Sequence, residues 1–229
     1  MITAVVTGMM NPGITGADDI ELDLSSLSEW EPLLFPNIPV HSTYEAVVED
    51  GREAIRVESD SSASAIVYSK TFSLTATPVV KWSWKVLDIL EKGNAEKKNG
   101  DDYPIHLYVM FPYEPSRVPV LQRIGFEIAR RRFGEYPPAE VLNYIWANRE
   151  HDREPLESPY TDRSMLFFPN AGREGLGEWQ THSANILEDF RRAFGREPPD
   201  TFTLAVMGDS DNTEGSTLAY IGEIILSRR

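Results

Sequence analysis

Alternation of apolar and polar residues dominates this chain. In Pro78-Val-Val-Lys-Trp-Ser-Trp-Lys-Val86, Val80, Trp82, Trp84 and Val86 fall on one side of a strand. Lys81, Ser83 and Lys85 fall on the other. One side reads as core and the other as a polar surface. The same two-sided pattern recurs from residue 44 onward. Tyr44 to Val48 and Ala54 to Glu58 read as strands joined by an Asp50-Gly51 hairpin turn. Ser64 to Phe72 continues the alternation. Ile105, Leu107, Val109 and Phe111 then alternate with His106, Tyr108 and Met110. Val141 to Trp146, Arg163 to Phe168 and Glu178 to Ala184 add strands. Thr201 to Met207 and Leu218 to Leu226 close the chain as a strand pair around an acidic loop.

Other stretches break this pattern. Val118 to Phe133 carries Leu121, Ile124, Ile128 and Phe133 at broadly helical spacing, with Arg130-Arg-Arg132 near its end and Gly134 as a stop. It reads as one inserted amphipathic helix. Its arginine run suits a solvated helix end better than an anion site. Asn185 to Phe194 reads as a second, short helix closed by Gly195. Trp30 to Pro39 holds three prolines and reads as an irregular hydrophobic plug on a sheet. Ala147 to Tyr160 reads as a polar loop. Residues 1–19 form a loose lead-in, and 20–229 a single domain. The apolar start, Met1 to Met10, is either a loose or edge-strand terminus or the remnant of a cropped export signal.

Many short alternating strands with two helices predict an all-β fold: a β-sandwich of jelly-roll type. The charge of −14, from 22 basic and 36 acidic residues, biases against nucleic acid and anionic membranes, although a local basic patch can override it. No apolar run is long enough to span a bilayer. The absence of cysteine removes thiol chemistry and disulfides. No serine elbow, phosphate loop or zinc-binding helix motif is present, and the four histidines lack metal-ligand spacing.

Three constellations remain. Asp209-Ser-Asp-Asn-Thr213 has the oxygen-rich opening of a calcium loop, with Asp209, Asp211, Asn212 and Thr213 as ligands; its alternative is a self-bonded polar turn. Asp101-Asp102, with Asp209 and Asp211, would supply the acids of a hydrolase or lyase. The polar sheet face gathers Lys81, Lys85, His106 and Tyr108. Tyr144 and Trp146 join it if Val141 and Ile145 face the core. Such a face suits a glycan or another polar small molecule. Binding without catalysis is the leading function. A carbohydrate-active enzyme and an envelope assembly protein are the alternatives.

Taken in order, Trp82-Ser-Trp-Lys-Val86, Gly100-Asp-Asp102, Leu107-Tyr-Val-Met-Phe111, Leu142-Asn-Tyr-Ile-Trp146, Phe190-Arg-Arg-Ala-Phe-Gly195, Asp209-Ser-Asp-Asn-Thr213 and Ala219-Tyr-Ile-Gly-Glu-Ile224 resemble the bacterial domain-of-unknown-function family 3047. The resemblance runs from about Trp30 to Leu226. It implies a sandwich similar to carbohydrate-binding modules and a periplasmic or secreted location, with the cytoplasm left open. It implies no activity. Ser83 and His106 stand where the family commonly has arginines, so a basic pair for an anionic sugar is missing here. Gly222-Glu223 replaces the family's final Gly-Asp and keeps the carboxylate.

Overall fold

A computed structural model describes residues 19–133, 136–152 and 154–229. The expected lead-in up to residue 18, its export-signal reading and the helix stop at Gly134 lie outside these residues. In chain order the strands are β1 (Ile20–Glu21), β2 (Trp30–Leu33), β3 (Thr43–Glu49), β4 (Arg52–Asp60), β5 (Ala63–Tyr68), β6 (Phe72–Ser73), β7 (Val79–Val86) and β8 (His106–Phe111). After α1 (Val120–Phe133) come β9 (Glu140–Ala147), β10 (Leu156–Ser158), β11 (Thr161–Ala171) and β12 (Gln180–Asn185). Helix α2 (Ile186–Phe194) then leads to β13 (Thr201–Asp209) and β14 (Ser216–Ser227).

These strands form two sheets. The smaller runs β12-β7-β14-β4-β3, with β1 beside β14. The larger runs β10-β11-β9-β8-β13-β5-β2, with β6 beside β13. All neighbours are antiparallel except β9 and β11. The two sheets enclose one hydrophobic core, giving the sandwich of jelly-roll type that the alternation predicts.

The tryptophan strand behaves as read. Val80, Trp82, Trp84 and Val86 of β7 are all buried in that core. From β8, Leu107, Val109 and Phe111 meet them from the other side. The β3–β4 hairpin turns at Asp50 and Gly51, with φ of 53° and 80°. Two consecutive left-handed residues match the right-handed twist of the flanking strands. Helix α2 has Asn185 as its N-cap, accepting from the Glu188 N–H, and ends on left-handed Gly195.

Several expectations need correction. Strands β13 and β14 do not pair with each other. They lie in different sheets, so the acidic loop between them crosses from one sheet to the other. The proline-rich stretch contains a regular strand after all, β2, at the sheet edge. There Pro32 needs no ladder partner on its outer side. Strand β10 interrupts the expected polar loop. Finally, β9 is inverted relative to the reading. Leu142, Tyr144 and Trp146 face the inter-sheet core, whereas Ile145 packs on the outer side with Tyr103 and Leu166.

Trp146 is fully buried, and its indole N–H donates to the Gly172 carbonyl at 3.0 Å. Trp146→Ala is therefore expected to cost about 3–5 kcal/mol of stability, read as a lowered midpoint in denaturant unfolding. An unchanged midpoint would contradict the packing.

Candidate functional site

The six residues expected to share one polar face occupy three separate places. Lys81 and Lys85 point outward from the smaller sheet. Lys85 is nearly buried, and its Nζ lies 2.6 Å from Glu49 and 2.8 Å from Asp50. It fastens the β3–β4 hairpin. His106 and Tyr108 point outward from the larger sheet, with the whole core between them and the lysines. Tyr144 and Trp146 lie within that core. The physical reason is simple: the polar sides of two facing sheets point in opposite directions.

The acidic residues do come together, at the His106 end of β8. Asp209 Oδ1 accepts from His106 Nε2 at 2.9 Å and from the Tyr103 N–H at 2.7 Å. His106 Nδ1 lies 3.1 Å from Asn143 Oδ1. Burial alone would lower the His106 pKa. The Asp209 charge and these hydrogen bonds outweigh it, and the imidazole is held above its ordinary value. Asp102 is completely buried. It accepts from the Asn212 N–H (3.3 Å), from Asn212 Nδ2 (2.9 Å) and from the Thr213 N–H (2.6 Å). It therefore anchors the crossing loop. Asn212 and Thr213 offer Asp102 their nitrogens, while Asn212 Oδ1 accepts from the Tyr160 hydroxyl. Thr213 Oγ1 is buried without a partner.

One carboxylate oxygen from each of Asp102, Asp209 and Asp211 lies within 4.8 Å of the others. Hard oxygen ligands at such spacing fit a divalent cation, which would need further oxygens to complete six or more. Burial, then repulsion from Asp102 and Asp209, pushes the Asp211 carboxyl upward. Burial also drives Asp101 up to about 6, against the Tyr103 hydroxyl that donates to it at 2.7 Å.

A different feature, missed by the sequence reading, is an open groove on one flank of the sandwich. Strand β10 covers β11 only as far as Leu166, so among the described residues no strand pairs with that side of Phe167–Ala171. The β9–β11 register slips between Phe167 and Asn170, which places Phe168 and Pro169 in a bulge. Across the gap, β12 is the free edge of the smaller sheet. Two hollows of about 330 and 440 Å³ meet across Phe168 and Pro169. The smaller is floored by Trp82, Tyr144 and Phe167 and ringed by His182, Asp189 and Arg192. The larger holds Glu150, Glu174, Glu178 and Gln180.

The groove wall is tightly fixed. Asn170 Oδ1 accepts from Trp84 Nε1 at 2.7 Å and bonds His182 Nε2 at 2.6 Å. The His182 ring packs on Trp82 and Trp84, and burial lowers its pKa. The Tyr144 hydroxyl donates to Asp189 at 2.8 Å, and Arg192 lies over Phe167 while pairing with Asp189. The sequence did hold a signal for this place. Pro169 follows a strand pattern directly, which marks an edge or bulge.

Two outcomes test the carboxylate cluster. The folded protein holds the Asp101 proton more tightly than the unfolded chain, whose ordinary value is 3.8. Stability is thus lost as pH rises from about 4 through about 6. Asp101→Asn should raise the melting temperature above pH 6, by about 2–4 °C per kcal/mol relieved, and change little near pH 4. A gain that is equal at both pH values would refute the assignment. Asp102→Ala removes three hydrogen bonds to the crossing loop. It should cost about 2–4 kcal/mol, with faster amide exchange at Asn212 and Thr213.

Comparison with solved structures finds distant likenesses. A family 30 carbohydrate-binding module of a cellulosomal cellulase from Clostridium thermocellum matches with TM-score 0.47 and 9% identity, covering 93% of this chain and 99% of that one. A variant of the Cel12A cellulase of Rhodothermus marinus matches with TM-score 0.42 and 11% identity, covering 92% and 99%. The metal-free form of lectin I-B4 from Griffonia simplicifolia gives TM-score 0.38 and 9% identity, covering 92% and 99%. Among curated proteins no sequence matches. The profile of the family described as "Protein of unknown function (DUF3047)" matches residues 28–225, nearly the whole chain, and the protein belongs to that family.

Proposed function

We propose that the protein is a binding module for an uncharged or cationic polar ligand, a glycan foremost, held in the groove between β11 and β12. The observation that carries this reading is the set of polar groups, His182, Asn185, Glu188, Asp189 and Arg192, that converge above the buried rings of Trp82, Tyr144 and Phe167. Sugar rings carry many hydroxyls, which suit a lining of converging donors and acceptors. The two hollows run on from each other, which favours an extended ligand over a single ring. Six carboxylates and one guanidinium line them, so an anionic sugar meets like charge.

Titration against neutral, amino-bearing and uronic-acid-bearing oligosaccharides tests the reading. Neutral or amino-bearing chains should bind. Arg192→Ala and Gln180→Ala, at opposite ends of the groove, should each weaken binding about tenfold with an unchanged melting temperature. Selective binding of uronates, or affinity unchanged by both substitutions, would refute it.

The trio of Asp102, Asp209 and Asp211 favours a second element of the proposal, a calcium ion that stiffens the crossing loop. Calcium added to chelated protein should raise the melting temperature by mass action, and Asp211→Ala should abolish the rise. An equal shift in both proteins, or none in either, would reduce the loop to a polar turn.

A further inference from the structure

Helix α1 is amphipathic with its apolar stripe turned outward. Val120, Leu121, Ile124 and Ile128 are 69%, 83%, 59% and 61% exposed. The contact with the body comes from the opposite side of the helix. There Phe126 is buried and stacks on Tyr113 with ring centres 4.0 Å apart, beside Val118 and Ala139. Arg163 lies over the same ring at 4.9 Å. A hollow of about 430 Å³ lies between the helix and Asp162 and Arg163, and Leu121 and Gly125 reach its rim. A helix that merely covered a sheet would turn Ile124 and Ile128 toward it.

The charge of this segment opposes that of the chain. Arg123, Arg130, Arg131 and Arg132 against Glu127 give α1 a net +3, in a protein of net −14. Arg131 lies three residues beyond Ile128, on the same face, and is exposed. An outward apolar stripe ending in an arginine is the pattern of a helix that lies in a lipid interface. The position of α1 in the fold is also suitable. It is inserted between the Phe111 end of β8 and the start of β9, whereas the Asp102, Asp209 and Asp211 cluster sits at the His106 end. The six residues of β8 separate the two by roughly 20 Å, about two Debye lengths at physiological salt. The acidic cluster is therefore screened from a surface that α1 touches.

We infer that α1 docks the protein onto an anionic lipid surface, with Val120, Leu121, Ile124 and Ile128 entering the interface and Arg131 pairing with lipid headgroups. The rival occupant is a second copy of the chain. Two-fold pairing of this face would set one +3 helix against another, whereas anionic headgroups complement it.

The test is co-sedimentation of the full chain with vesicles of phosphatidylcholine alone and of phosphatidylcholine mixed with phosphatidylserine. Binding is expected to the mixed vesicles, to fall with added salt and to be weak on the neutral ones. Ile124→Ser with Ile128→Ser should weaken it about tenfold or more, and Arg131→Glu should weaken it severalfold. These three side chains are exposed, so the melting temperature should stay unchanged. Three results would overturn the inference: no sedimentation with mixed vesicles, equal sedimentation with both kinds, or a dimer in solution that Ile124→Ser dissociates.

Discussion

Burial of the β7 tryptophans between the sheets is the interaction on which the rest of the molecule depends. Trp82 and Trp84 lie 5.5 Å apart, and each reaches across to β9. Trp82 meets Tyr144 at 5.2 Å and Trp84 meets Trp146 at 6.4 Å. These rings fill the space between the sheets and fix their separation. Both the groove floor and the position of β11 follow from that contact. The indole N–H of Trp84 finds its acceptor on β11, so the cluster is oriented by a hydrogen bond as well as by packing.

Much of this was legible along the chain, for a physical reason. In β7 and β8 one side is apolar and the other is not, and alternation reports that directly. Asp50-Gly51 and Asn185 with Gly195 were legible because their backbone conformations favour those residue types. Strand β9 failed for the converse reason. Apart from half-buried Val141, all of its residues are buried, so no alternation separates inner Tyr144 from outer Asn143. Which sheet a strand joins was equally hidden. The stretch from Asp209 to Ser216 reads as a hairpin loop, and only long-range pairing shows that it crosses between sheets.

The candidate site was less legible still. Asp101, Asp102, Asp209 and Asp211 were found because carboxylates are conspicuous, and the fold brings them together across more than a hundred residues. Lys85 looked like a ligand-facing cation, but Glu49 and Asp50 had no sequence proximity to reveal them as its partners. The groove could not be read locally. It exists because β10 is short and because two consecutive strands, β11 and β12, lie at the edges of different sheets.

The shared acceptor at Asn170 has a chemical consequence. An indole nitrogen can only donate, so the Asn170 atom facing Trp84 must be the amide oxygen. The same oxygen faces His182 Nε2, which must then carry the ring hydrogen. With the imidazole kept neutral by burial, one tautomer is selected and Nδ1 is left as a lone-pair acceptor. The residues that hold the core together thus also decide the hydrogen-bonding polarity of one wall of the groove. The imidazole on that wall can take a hydrogen through Nδ1 but has none left to give.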